Sequence, residues 1–280
     1  MDQPTPKALT DILAQRFADA PNCEGLQDIA GLPISMVARG ACRAFSPKPV
    51  PELLIEALCA VAMASPTKSD LQQRDIIVLK SPDMRQALAA LVPDQAWVAE
   101  APMLLVFCGN NRRQRQMHDW QDLPFANDHT DALFNATADA AIALGAFITA
   151  AEVLGLGACP ISAVRNEAQA VSNLLALPDH VFPFAGLALG HPKDPPKISK
   201  RLPLSVTSHV DRFSEAGLEE AVASYDAERA SAQPYKSQRF EALYGQTDPY
   251  TWSQDKARQY SQPERADFGA FLRAKGFRFA

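Results

Sequence analysis

Cysteine is scarce in this 280-residue chain, and the five present (Cys23, Cys42, Cys59, Cys108, Cys159) are scattered, with no C-x-x-C pair. An odd, widely spaced set argues against a disulfide framework and a thiolate zinc site, and fits a reducing compartment. Basic residues are outnumbered too: 27 Lys and Arg face 32 Asp and Glu, for a net charge of -5. A general nucleic-acid binder needs a basic stripe to neutralise phosphates, so no nucleic-acid partner is expected. Long uninterrupted apolar runs are also missing. The most apolar stretch, 131–153, is broken by Asp139 and by Thr, Asn and Gly, and no basic segment followed by a long apolar one stands near residue 1. Neither secretion nor membrane insertion is expected, and the chain reads as cytoplasmic. Ser-His-Asp sets, paired carboxylates, Walker loops and G-x-G-x-x-G motifs are not placed where their chemistry would require them, so the side chains offer no evident nucleophile.

What is present is a 47% apolar composition, ordinary for a soluble core, in a length that allows one large domain or two small ones. Residues 131–153 read as a helix buried on most sides, because only Asp131, Asp139 and Glu152 are charged and no polar face is wide enough for solvent. Gly155 suits the left-handed residue that ends a helix, Gly157 permits a second turn, and 158–164 then extends. Asn166, with Gln169 three residues on, is expected to cap a new helix over 167–177, its bare amides beside Arg165 forming an anion site. Short apolar runs at 75–79, 102–108 and 182–189 read as strands, and 52–64, 82–91, 215–232 and 267–277 as helices. Residues 65–73 form a polar loop. Polarity rises over 109–129 with little periodicity, which suggests a mobile flap; His118, Asp119, His129 and Asp131 there match no metal-binding spacing. Near the start, Ala8, Leu9, Ile12, Leu13 and Phe17 give a short amphipathic helix, and Arg39 and Arg43 could clasp a phosphate.

Taken in order, these segments resemble the nitroreductase superfamily, within it the oxygen-insensitive NADPH nitroreductase and flavin reductase group. Residues 39–45 (RGACRAF) look like its opening Arg-x-Ser-x-Arg-x-Phe, and 66–72 like its Ser-rich loop ending in Leu-Gln. Residues 152–157 (EVLGLG) with Ile161, Arg165 and Asn166 look like its Glu-Ser-Leu-Gly-Leu-Gly segment and flavin-binding turn. Residues 187–192 and 200–203, then 251–253 and 271–277, resemble its later elements.

The resemblance implies an α+β fold with a central, mainly antiparallel sheet flanked by helices, and a C-terminal arm embracing the partner in a homodimer. It divides the chain into an extension (1–31), a flavin-binding core (32–210) and the arm (211–280). It implies FMN as cofactor, NADPH or NADH as hydride donor, and two-electron, ping-pong transfer to a small-molecule acceptor: a nitroaromatic, quinone or flavin. A dedicated flavoenzyme for one substrate, by oxidation or reductive dehalogenation, and a non-catalytic flavin-binding protein are the alternatives. By motif, FMN would be held by Arg39, Ala41, Arg43, Gln72, Pro160, Ile161, Ser162, Ala163, Arg165, Asn166 and Arg201. Lys68, Ser69 and Asp70 would face substrate, and Lys236, Arg239, Lys256 and Arg258 the nucleotide phosphate; no metal and no catalytic side chain are implied. The chain departs from the group at Ala41, where the motif has serine, and at Pro160, where an aromatic residue is common. Ser162 and Ala163 replace glycines, and Ser199 a frequent lysine. Each change alters one flavin contact.

Overall fold

The run Met103–Asn110 carries no polar alternation, and it forms a strand buried on both faces from Leu104 onward. That strand is central to the fold in the computed structural model, which describes residues 5–26, 31–32 and 34–279. Expectations for 1–4, 27–30 and Pro33 lie outside the described residues. In chain order the helices are α1 (Pro6–Arg16), α2 (Ser35–Ala38), α3 (Glu52–Met63), α4 (Pro82–Ala90), α5 (Arg112–Trp120) and α6 (Thr130–Val153). They continue with α7 (Ala168–Leu174), α8 (Leu218–Ala232), α9 (Glu241–Tyr244), α10 (Trp252–Tyr260) and α11 (Phe268–Ala274). The strands are β1 (Arg74–Leu79), β2 (Met103–Asn110), β3 (Gly157–Ile161) and β4 (Val181–Gly190). Contacts gather the chain into two compact units, one of residues 1–40 and 197–264, the other of 41–196 and 265–280.

The second unit holds the sheet, an antiparallel four-stranded layer of order β1-β2-β4-β3. The fold is α+β. On one face Leu105, Phe107, Ala158, Leu187 and Leu189 pack with α3 and α6 through Leu58, Ala143 and Phe147. On the other, Leu104, Val106, Cys108 and Ala188 pack with α4 and α7 through Leu88 and Val171. Alternate residues of each strand serve the two layers, which is why the central strands read as unbroken apolar runs. Proline within an inner strand is tolerated at a bulge. Pro183 sits at one: Phe107 pairs with Ala185 and Cys108 with Pro183, so Phe184 is the extra residue.

Helix α6 is long and apolar enough to cross a membrane by length and composition, but Ala136, Ala140, Ala143, Phe147 and Ala151 are fully buried in the protein core. His129 caps it by accepting from the Asp131 amide. The expected flap over 109–129 is corrected: its first half ends β2 and forms α5. Polar cross-links hold that helix, Asn111 Nδ2 donating to Gln73 Oε1 at 2.7 Å and the Arg113 amide to Asn110 Oδ1 at 3.1 Å. Hydrophobic periodicity does not register such contacts. The expected cap at Asn166 is also corrected. Helix α7 begins at Ala168 with no side-chain cap bond, and Asn166 Oδ1 instead accepts from Arg265 Nε at 2.8 Å.

The first unit is built of α1, α2 and α8–α10. Helix α10 lies in a stretch with weak periodicity, yet Thr251 and Gln254 form a full capping box at its start. It packs on α8 through the edge-to-face pair Tyr225–Trp252 and through Asp226, which accepts from the Ser253 amide at 2.9 Å.

Candidate flavin site

Within the sheet unit, the strand β3 and the turn after it present alternate residues outward. Pro160 and Ser162 are exposed, whereas Ile161 and Ala163 face the core, so those two can meet a ligand only through backbone atoms. β3 is an edge strand, where the missing N–H of Pro160 costs no ladder bond. The opening motif runs beside it: the Cys42 amide donates to Ala158 O at 3.1 Å, and Phe45 bridges Pro192. This approach is close enough that a Cβ on Gly157 would lie 2.5 Å from Cys42 Sγ. It leaves Ala41 and Arg43 exposed, with the Arg43 guanidinium 5.8 Å from the Trp97 ring centre. Arg165 is turned onto Phe184, donating to its carbonyl and lying over its ring, so it does not join the start of α7 in an anion cradle.

The loop before β1 is unusually constrained. Ser69, Asp70 and Gln72 all have positive φ (47°, 58° and 52°), a costly conformation for residues with a Cβ. It is held by Asp139, a fully buried carboxylate in the apolar helix α6. Asp139 accepts from Thr67 Oγ1 at 2.7 Å, from the Lys68 amide at 2.9 Å and from the Gln73 amide at 2.8 Å. Gln72 and Lys68 are thereby presented at the surface of a rigid loop. Sequence reading saw Asp139 only as an interruption of α6; a lone acid in so apolar a helix was the available signal. Beside the loop lies a polar cavity of about 290 Å³ lined by Lys68, Gln73, Asn111, Gln114, His118 and Phe125, among others. No group of His, Cys, Asp and Glu able to hold a metal occurs among the described residues.

Within the other unit, Arg16, Arg39, Lys200, Arg201 and Arg229 line a cavity of about 750 Å³ whose remaining wall is largely apolar, including Tyr225 and Trp252. Its size is that of a small-molecule site. Cationic heads over an aromatic and aliphatic floor suit a ligand with an anionic end and a flat apolar body, and flavin mononucleotide fits that donor set. The four basic residues of the arm divide. Lys236 is exposed and lines a separate cavity of about 540 Å³. Arg239 and Lys256 both pair with the buried Asp255, at 3.2 and 2.6 Å. Arg258 is corrected as a nucleotide contact: it is 8% exposed and donates to the carbonyls of Arg239 and Gly245, which makes it a cross-brace.

The nitroreductase family matches residues 36–191, and the nitroreductase family C-terminal domain matches 199–280. An FMN reductase (NAD(P)H) of Bacillus subtilis is 29% identical over 251 residues, 87% of this chain and 96% of that one. An oxygen-insensitive NADPH nitroreductase of Salmonella typhimurium is 35% identical over 67% of this chain and 76% of its own. Among solved structures, NfrA2 of B. megaterium superposes with a TM-score of 0.80 at 29% identity, covering 88% of this chain and 97% of that one. The NADPH:FMN oxidoreductase of Vibrio harveyi, complexed with NAD+, gives 0.75 at 26% identity, with 86% and 96% covered. The first family match alone spans more than half of the sequence, and this chain belongs to the nitroreductase family.

Proposed function

We propose that this protein is an FMN-dependent NAD(P)H oxidoreductase that passes two electrons, by a ping-pong mechanism, to a nitroaromatic, quinone or flavin acceptor. Beyond family membership, the observation that carries the reading is the cavity where Arg39 and Arg201 meet an aromatic floor. Those two arginines grip the flavin phosphate. Arg43 serves the phosphate or ribityl chain, and Gln72, on its strained and pinned loop, donates to the ring. Pro160 and Ser162, with backbone of Ile161 and Ala163, line the ring's side, with Arg165 and Asn166 nearby. Bound FMN supplies the hydride exchange. The chain's own part is to bind and orient: Lys68, Ser69 and Asp70 border the acceptor, and the polar cavity beside Lys68 supports that role. Lys236, Arg239 and Lys256 attract the nucleotide phosphate. The enzyme works in the cytoplasm as a homodimer, with 211–280 as the arm that wraps the partner around the 32–210 core; 1–31 remains the extension. The exposed proline and serine at Pro160 and Ser162 favour a second reading, an enzyme dedicated to one acceptor.

The test is spectroscopic. The purified protein should be yellow or become so on titration with FMN, bleach with NADPH, and recover with an acceptor; a panel of acceptors separates the two readings. Arg201→Ala should weaken FMN binding by about 1.5–3 kcal/mol, the range for a hydrogen bond to a charged group. A flavin-free protein without spectral change on FMN titration overturns the reading.

A further inference from the structure

Arg16 lies at the end of α1, in the extension, and is only 6% exposed. Its guanidinium is directed at carbonyls from two distant segments. Nε and Nη2 donate to Val37 O at 2.9 and 2.6 Å, Nη2 to Arg39 O at 2.7 Å, and Nη1 to Ser199 O at 3.2 Å. In return, the Arg16 carbonyl accepts from the Arg201 amide at 2.8 Å. Three residues on, Asp19 accepts from the amides of Leu204 and Ser205, both at 2.7 Å. The extension therefore grips the backbone of Arg39 and of Arg201 from one point, while both side chains line the cavity. Only a rigid planar fork can bridge carbonyls so disposed; an ammonium is a point donor and cannot span both segments in fixed geometry.

We infer that Arg16 is a positioning residue for anion recognition: it fixes the spacing between Arg39 and Arg201, so that the two can converge on the phosphate of a flavin mononucleotide. The inference rests on the flavin reading above. It gives the N-terminal extension a function in binding. Arg16 lines the cavity as well, but its guanidinium is committed to these carbonyls, so it acts through backbone and its contribution is to the phosphate end of the ligand and not to the ring.

Riboflavin, which lacks the phosphate, is the discriminating probe. Quenching of flavin fluorescence gives dissociation constants for FMN and riboflavin with wild type, Arg16→Ala, Arg16→Lys and Arg201→Ala. Arg16→Ala should weaken FMN binding ~10-fold or more, the scale of one charge-assisted hydrogen bond lost at the phosphate, and leave riboflavin binding within about twofold. Arg16→Lys should be nearly as weak toward FMN, and it carries the comparison should the alanine variant not fold. Wild-type FMN affinity in the Arg16 variants overturns the inference, as does an equal loss for both flavins, which would mark a general structural role. Full rescue by lysine also overturns it, since charge alone would then suffice. If wild type binds FMN and Arg201→Ala weakens it, the flavin reading stands whatever Arg16 does. If wild type binds neither flavin, that reading falls, and this inference with it.

Discussion

Arg258 commits its guanidinium to the carbonyls of Arg239 and Gly245, and its side chain also lies 5.1 Å from the Tyr250 ring centre. Truncation to Ala leaves two acceptors without these bonds. Arg258→Ala should therefore lower stability by about 1–3 kcal/mol in thermal unfolding, and leave the NADPH to NADH ratio of kcat/KM unchanged. Arg239 and Lys256 share one carboxylate, which leaves little net positive charge for a 2′-phosphate. With exposed charge pairs worth ~0.2–1 kcal/mol each, NADPH should be preferred only roughly two- to thirty-fold, and Arg239→Ala should reduce even that. A preference of several hundred-fold that survives Arg239→Ala and Lys236→Ala would move phosphate recognition off this arm. Asp255 gives a pH test. Burial pushes its carboxyl up, but Lys256, Arg239 and Tyr250 outweigh that and hold it below the usual carboxylate range. A depressed folded pKa contributes stability that is present above the unfolded value of ~3.9 and is lost as pH falls through the folded one. The stability gap between wild type and Asp255→Asn, followed by circular dichroism in denaturant, should be flat from neutral pH to about pH 5 and shrink below about pH 4. A gap that persists in acid would refute the assignment.

The loop before β1 is an element whose shape is imposed from outside it. Three left-handed residues in succession of four positions are held there by Asp139. Asp139→Ala should cost roughly 3 kcal/mol or more, because three donors lose a charged acceptor, and should speed amide exchange at Lys68 and Gln73. Asp139→Asn should do little better, since the amide NH2 would face a donor. Exchange at those amides that matches wild type would show that the loop holds itself. The same element shows where sequence reading stops. α6, α3 and the strands were legible, because their apolar patterns report burial directly. The start of α5 and the capping of α7 were not, because Asn111 and Asn166 are settled by partners 38 and 99 positions away, at Gln73 and at Arg265. α10 had a local signal, the Thr251 and Gln254 capping box, in a stretch without apolar rhythm. Motif resemblance singled out Arg39 and Arg201, which line one cavity, whereas no sequence signal pointed to Arg16, because its partners are carbonyls, which carry no residue identity.

At the scale of the whole molecule, the apolar faces of α3 and α6 outrun the core that one chain can offer them. The two helices pack together through Leu58, Ala62, Ala143 and Phe147. On their other sides they expose Leu53 (77%) and Val61 from α3 and Phe134 (67%) and Ile142 from α6. Fully burying such a side chain is worth ~1.5–3 kcal/mol, and a stable interface removes about 1,200–2,000 Å² from water. Four such side chains would give a dimer an apolar centre of the kind that obligate interfaces have. The protein should sediment as a homodimer at sub-micromolar concentration. Phe134→Asp would place a charge in that centre, and should shift the equilibrium to monomer at micromolar concentration while leaving the sheet's circular dichroism intact. FMN affinity should fall with dissociation if the arm of the partner completes the site. A stable, FMN-loaded monomer at micromolar concentration would refute the dimer, and a Phe134→Asp variant still dimeric would place the interface on another face.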